Sequence, residues 1–239
     1  MKLAVFGASG RMGSAVLRLA KESGDIDVVA AIDESSTTTS LGGAEVVVDF
    51  SAPGAMPAMA RAASSAGVAI VSGTTGLDDA AKKALDDAAT HVPVLWEPNM
   101  SVGIFVLGEL LNEAIRMLGP GFDIEIVETH HKKKVDAPSG TAVRLAEVAK
   151  AARADATRLV TGREGKPGAR GSDEIGVLAV RGGDVIGDHV VHLLGEGERL
   201  ELVHRASNRD LFARGALRAA RWLRGKNPGF YSLADVFRR

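Results

Sequence analysis

At 239 residues the chain has room for one large domain or two modest ones, and 46% hydrophobic with 25% charged residues is an ordinary globular balance that can bury a sizeable core. A formal net charge of −1 argues against nucleic-acid or acidic-lipid partners, and the lack of cysteine excludes disulfides, a thiol nucleophile and a cysteine metal site. The opening run MKLAVFGASG is broken by glycines, too short to span a membrane and unlike a signal peptide, so a cytoplasmic location with no membrane partner is expected.

The first hundred residues alternate strand and helix patterns. Short runs rich in Val and Ile at 2–7, 28–33, 45–50, 68–73 and 93–98 read as buried parallel strands. Segments 11–23, 53–66 and 78–90 between them have helical spacing, the last opening on two acids that suit a helix N-terminus. This alternation predicts a Rossmann-type, doubly wound α/β domain. The pattern changes near residue 101. A long, mostly buried helix is expected first, then a half-exposed strand in FDIEIVETHH and a helix near 140–154. A glycine-rich loop, TGREGKPGARG, leads into three strand-like runs, EIGVLAVRGG, DHVVHLLG and RLELVHRAS, which suggest an α+β domain whose mixed sheet includes antiparallel pairing. The tail reads as a helix with a short cap.

VFGASGRMG places Gly7, Gly10 and Gly13 between the first strand and the first helix. Backbone N–H groups at such a turn can face a pyrophosphate, and side chains there would block its approach. Asp33 ends the second strand, where a carboxylate accepts hydrogen bonds from an adenosine ribose. The bland alternative is a tight turn with no ligand. Other strand ends carry Phe50 and Ser51, then Gly73, Thr74 and Thr75, then Pro98, Asn99 and Met100. In open α/β sheets these ends border the ligand crevice, so all are candidates to line a cofactor.

The second constellation is ETHHKKKVDAPSGTA, residues 128–142. Ser139 suits an N-cap, and the amides of Gly140 and Thr141, with the nearby hydroxyls and Lys134, would make an anion pocket. His130 and His131 should point to opposite faces of their strand. Lys132 and Lys133 fit a solvated turn. A metal site is not expected, because no carboxylates stand at ligand spacing.

These stretches, with VVDFSAPG, SGTTG, EPNMSVG, GREGKPGARG and ERLELVHRASNRDLFARGALRAARWL, resemble the 4-hydroxy-tetrahydrodipicolinate reductase family, formerly called dihydrodipicolinate reductase. The resemblance runs from residue 1 to the final helix, and HHKKKVDAPSGTA is its most specific motif. It implies a dinucleotide-binding domain of residues 1–100 and 209–239, and a substrate-binding and oligomerisation domain of 101–208 that builds a homotetramer. It implies NAD(P)H-dependent reduction of a cyclic imine dicarboxylate in lysine and diaminopimelate biosynthesis. His130 then resembles a proton donor/acceptor and Lys134 a proton donor, with His131, Ser139, Gly140 and Thr141 at the substrate. Gly7, Ala8, Ser9, Gly10, Arg11, Met12, Asp33, Gly73, Thr74, Thr75, Pro98, Asn99 and Met100 match the cofactor site, beside the strand-end candidates Phe50 and Ser51, and Arg209 is a further candidate near it. Two departures stand out. Asp33 is followed by Glu34, Ser35 and Ser36 rather than a basic residue, and Met100 stands where many members have Phe. NADH is therefore the expected cofactor, with some NADPH use. The competing readings are another Rossmann oxidoreductase acting on an acidic substrate and a non-catalytic NAD-binding redox sensor.

Overall fold

The structure, a computed structural model, describes residues 1–36, 40–153, 155 and 158–237. The chain divides into two compact units, Met1–Val102 with Arg209–Arg239, and Gly103–Asn208. No helix among the described residues is long and apolar enough to cross a membrane.

The first unit holds β1 (Lys2–Phe6), β2 (Asp27–Ile32), β3 (Val46–Asp49), β4 (Ala69–Ser72), β5 (Pro93–Trp96) and β11 (Gly229–Tyr231) in one all-parallel sheet, ordered β11-β5-β4-β3-β1-β2. Every residue of β3 and β4 is buried, as the unbroken apolar runs require of strands covered on both faces. Helices α2 (Met56–Ala66) and α3 (Asp79–Ala89) cover one face, through Met56, Met59, Ala63, Ala81 and Leu85. Helix α1 (Arg11–Ser23) packs beside α6 (Asp210–Leu223), which lies on β3, β4 and β5. Burying each large aliphatic side chain here is worth about 1.5–3 kcal/mol.

Expectation and structure differ in three places. Helix α2 begins at Met56, because Pro53–Ala55 form a separate 3₁₀ turn. The tail is more than a helix and cap: Gly229–Tyr231 become the edge strand β11 beside β5, followed by α7 (Leu233–Phe237). The connection from β2 to β3 passes β1 with no helix among its described residues.

The second unit contains α4 (Val102–Leu118), which begins at the boundary residue, β6 (Asp123–His130), α5 (Gly140–Ala152), β7 (Arg158–Val160), β8 (Glu174–Arg181), β9 (Asp188–Leu194) and β10 (Arg199–Arg205). The sheet order is β10-β9-β6-β8-β7. Antiparallel pairing is confined to β6/β9 and β9/β10; β6/β8 and β7/β8 are parallel. Helices α4 and α5 bury one face against Ile124, Ile126, Ile175, Val177, Val191 and Leu193. The short strand β7 has no counterpart in the sequence reading, since three residues carry too little periodicity to register.

Candidate active site and cofactor cleft

In the first unit the strand ends converge on a cavity of about 420 Å³, within the range of small-molecule sites. Arg11 and Met12 line it from the start of α1, Phe50 and Ser51 from beyond β3, Gly73, Thr74 and Thr75 from beyond β4, and Pro98 and Met100 from beyond β5. Arg209 and Phe212, ahead of and within α6, complete the lining. Phe212 carries no motif and was not foreseen.

Gly7, Ala8, Ser9, Gly10, Asp33 and Asn99 do not line this cavity. Gly7 has φ 78° and its amide donates to Ile32 O at 2.8 Å. A Cβ at Gly7 would lie 2.7 Å from Phe50 O, so glycine is needed there both for conformation and for space. The Asp33 carboxylate accepts the Ser9 amide at 2.9 and 3.0 Å, which ties the glycine turn to the end of β2. Two oxygens offer about four acceptor positions, so a ribose hydroxyl can share that carboxylate. Asn99 Oδ1 accepts from the Ser101 amide at 2.9 Å. A Cβ on Gly73 would enter the Phe50 ring. A glycine cradle at a helix N-terminus, closed by an acid at the end of β2, fits a dinucleotide.

Asp49, absent from the sequence reading, is fully buried at the end of β3. It accepts from Ser51 Oγ at 2.6 Å, Ser72 Oγ at 2.7 Å, Thr74 Oγ1 at 2.7 Å and the Ser51 amide at 3.0 Å. Four donors satisfy a carboxylate that burial would otherwise make costly, and they lock the ends of β3 and β4 that carry the cavity wall. Trp96 Nε1 donates to Thr74 O at 2.9 Å from the next strand.

The second unit gathers polar groups at the C-terminal end of β6. Alternation along β6 buries Ile124 and Ile126, and then, on the same face, Glu128 and His130. The strand is therefore half-exposed as expected, but one of its acids points inward. Register supplies the neighbours: His130 pairs with Arg181 of β8, and Glu128 with His189 of β9. His189 lies edge-on to His130, with ring centroids 5.3 Å apart, and its Nε2 is 3.3 Å from Ser139 Oγ. His131 is only partly buried and its amide donates to Val185 O at 2.7 Å.

Ser139 is the N-cap of α5: its hydroxyl accepts from the Ala142 amide at 3.2 Å, and its own amide donates to Glu128 Oε1 at 2.9 Å. Ser139 is thus the N-cap expected from the sequence, and the cap occupies one acceptor position of its hydroxyl. Gly140 opens the helix with nothing within 4 Å of an added Cβ, so an anion has room to approach, and Thr141 follows it. Lys134 does not stand alone: its Nζ donates to both Asp136 oxygens at 2.7 and 2.8 Å, and that contact holds the Asp136 carboxyl below its usual range. Lys132 and Lys133 are exposed. Sequence reading missed Glu128, Asp136, Arg181 and His189. Only Glu128 had a signal, its two-residue spacing from His130.

Burial and the neighbouring His130 push the His189 imidazole down to about 4. Its pKa is depressed on folding, so the folded state resists a proton that the unfolded chain accepts below about 6.5. Stability should therefore fall as pH drops from 6.5 toward 4, by roughly 2–3 kcal/mol over that window. Urea unfolding of wild type and His189→Gln at pH 7 and 5 checks this. An equal pH slope in both proteins would refute it.

Two family models cover almost the whole chain: "Dihydrodipicolinate reductase, N-terminus" over residues 1–100 and "Dihydrodipicolinate reductase, C-terminus" over residues 103–237. A curated 4-hydroxy-tetrahydrodipicolinate reductase from Anaeromyxobacter dehalogenans strain 2CP-1 is 46% identical, across 98% of this chain and 97% of its own. One from Myxococcus xanthus is 45% identical across 99% and 97%. Among solved structures, a dipicolinate-bound dihydrodipicolinate reductase from Paenisporosarcina sp. TG-14 superposes with a TM-score of 0.79 at 21% identity, covering 97% of both chains. A probable dehydrogenase from Thermotoga maritima reaches 0.61 at 12%, covering 99% of this chain and 92% of its own, a likeness of fold alone. With its Rossmann-type half built to take a nicotinamide cofactor, the chain belongs to the dihydrodipicolinate reductase family.

Proposed function

We propose that the chain reduces (2S,4S)-4-hydroxy-2,3,4,5-tetrahydrodipicolinate to tetrahydrodipicolinate and water with NAD(P)H, within lysine and diaminopimelate biosynthesis. Met1–Val102 with Arg209–Arg239 would hold the cofactor, and Gly103–Asn208 the substrate. The observation that carries this reading is one chain holding both a glycine-cradled cleft and the His130, Lys134 and Gly140 assembly, in a family of that name. A bound reduced nicotinamide supplies hydride. The protein must then hold a dicarboxylate and deliver one proton.

The start of α5 at Gly140 and Thr141 offers amides and the positive helix end to one carboxylate. Lys134 adds a full charge and can protonate the carbanion-like product of hydride addition, while His130 relays a proton beside it. His131 borders the substrate in the same proposal. A cytoplasmic setting belongs to it as well, since reduced nicotinamide cofactors are supplied there. The test couples the preceding synthase, pyruvate and aspartate semialdehyde to this protein and follows NADH absorbance. No substrate-dependent loss of absorbance would falsify the assignment and favour a non-catalytic NAD-binding sensor.

NADH is the proposed preferred cofactor, with NADPH also used. The Asp33 carboxylate already faces the Ser9 amide, and exposed Glu34 follows it. A 2′-phosphate there would meet two negative charges, offset in part by Arg11 of the cavity lining. Glu34→Arg should raise the NADPH/NADH ratio of kcat/KM at fixed ionic strength. A wild-type preference for NADPH would overturn this assignment.

A homotetramer is also proposed. The sheet face of the second unit that α4 and α5 leave open carries Val127, Leu178 and Val190, with Val180 47% and Val203 42% exposed. Monomeric proteins seldom leave such a patch uncovered. Sedimentation at micromolar concentration should give four chains; a stable monomer would exclude the proposal.

A further inference from the structure

His130 has a partner that the proposed reaction does not use. The Glu128 carboxylate is fully buried. Its Oε2 accepts from His130 Nδ1 at 2.6 Å and Arg181 Nη1 at 2.7 Å. Its Oε1 accepts from the Ser139 amide at 2.9 Å and Arg181 Nη2 at 2.7 Å. Arg181 also donates through Nη2 to Asp136 O at 2.7 Å and through Nη1 to Val180 O at 2.7 Å, so the fork is itself anchored at both ends.

We propose that Glu128 is a positioning residue: it holds His130 as the Nδ1–H tautomer and so leaves Nε2 as the nitrogen that exchanges a proton with substrate. This rests on the reading of His130 as a proton carrier.

Two independent features support the inference. Burial alone would push the Glu128 carboxyl up, but Arg181, His130 and the Ser139 amide together hold it below its usual range. An ionised carboxylate cannot donate, so the shared proton must sit on Nδ1. The other edge of the ring is kept clear by Gly187. That residue is absent from the positive-φ glycines, so its backbone does not demand glycine. A Cβ there would stand 3.0 Å from His130 Nε2. One edge of the imidazole is thus fixed by a carboxylate, and the other is bordered by a residue with no side chain. The remaining titratable and charged groups around the ring pair are His189 of β9, His204 of β10, Arg181 of β8, and Lys134 with Asp136 in the loop after β6. Burial keeps His189 and His204 disposed to neutrality.

Nitrogen-15 NMR of histidine-labelled wild type reads the tautomer without any substitution. The expected neutral form of His130 carries its proton on Nδ1; a proton on Nε2 overturns the inference. Steady-state kinetics in the coupled assay then compare Glu128→Gln, His130→Asn and the double variant. Loss of ring orientation should lower kcat by about 10²-fold in Glu128→Gln, with KM for NADH unchanged. The double variant should be no slower than His130→Asn alone, because Glu128 acts through that ring. Multiplying losses overturn the inference. If His130→Asn loses turnover and Glu128→Gln does not, only the positioning role fails. Wild-type turnover in His130→Asn overturns the proton-carrier reading and this inference together.

Discussion

Lys134→Ala is expected to lower kcat about 10²-fold or more, the usual scale for losing a positioned general acid, and to raise KM for the dicarboxylate. The Lys134 side chain is 20% exposed and its ammonium is held on Asp136. That contact fixes where the ammonium sits in the loop between β6 and α5. Asp136 is itself 53% exposed, so the ion pair contributes well under about 1 kcal/mol to stability. Asp136→Asn should therefore leave the thermal midpoint nearly unchanged while reducing kcat by less than Lys134→Ala does. Lys132 is exposed, and Lys132→Ala is the matched control. Equal losses at Lys132 and Lys134 would place the acid elsewhere. Cofactor affinity, measured by NADH fluorescence, should stay at the wild-type value in all three variants, because the cleft that would bind it is lined wholly by the other unit.

What the sequence revealed follows from how far each signal reaches along the chain. Helix α1 spans Arg11–Ser23, as its spacing predicts, because Gly10 and Gly24 punctuate both ends with local chemistry. The buried strands of the first unit were legible for the same reason: a run such as Val46–Asp49 is apolar without help from distant residues. The edge strands Arg158–Val160 and Gly229–Tyr231 are three residues each, and pairing with a neighbour, not their own pattern, makes them strands. The buried acids misled in the opposite way. Glu128 and Asp49 look like ordinary solvent-facing charges until β8 and β9 bring Arg181 and His189 to one, and β4 brings Ser72 and Thr74 to the other. Those four neighbours are 23 to 61 residues away along the chain, and no short motif records such an encounter. The basic turn at 130–141 was visible because its cap, its glycine and its lysine are all local.

Gly13→Ala should raise the dissociation constant for NADH at least tenfold and destabilise the fold, although alanine is the better helix former by about 1 kcal/mol. A Cβ at Gly13 would collide with the carbonyl oxygen of Gly7 and stand 2.7 Å from Ala8 Cα and 2.8 Å from Gly7 C. These are backbone atoms, so no rotamer change relieves the contact. The turn has little room to retreat. The Gly7 amide is hydrogen-bonded to Ile32 O at 2.8 Å, and Phe50 O occupies the space on the far side of Gly7. Helix α1 must then shift away from β1, carrying Arg11 and Met12 out of the cleft wall they form. Overpacking of this kind costs about 1–3 kcal/mol, more than the propensity gain returns. Gly108→Ala is the comparison within the same chain. It lies inside α4 with nothing within 4 Å of an added Cβ, so it should raise stability by about 0.4–1 kcal/mol and leave NADH binding alone. Fluorescence titration and thermal unfolding of both variants decide the point. Wild-type NADH affinity with an unchanged midpoint in Gly13→Ala would mean that the turn yields, and that close packing of α1 against β1 does not set the geometry of the cradle.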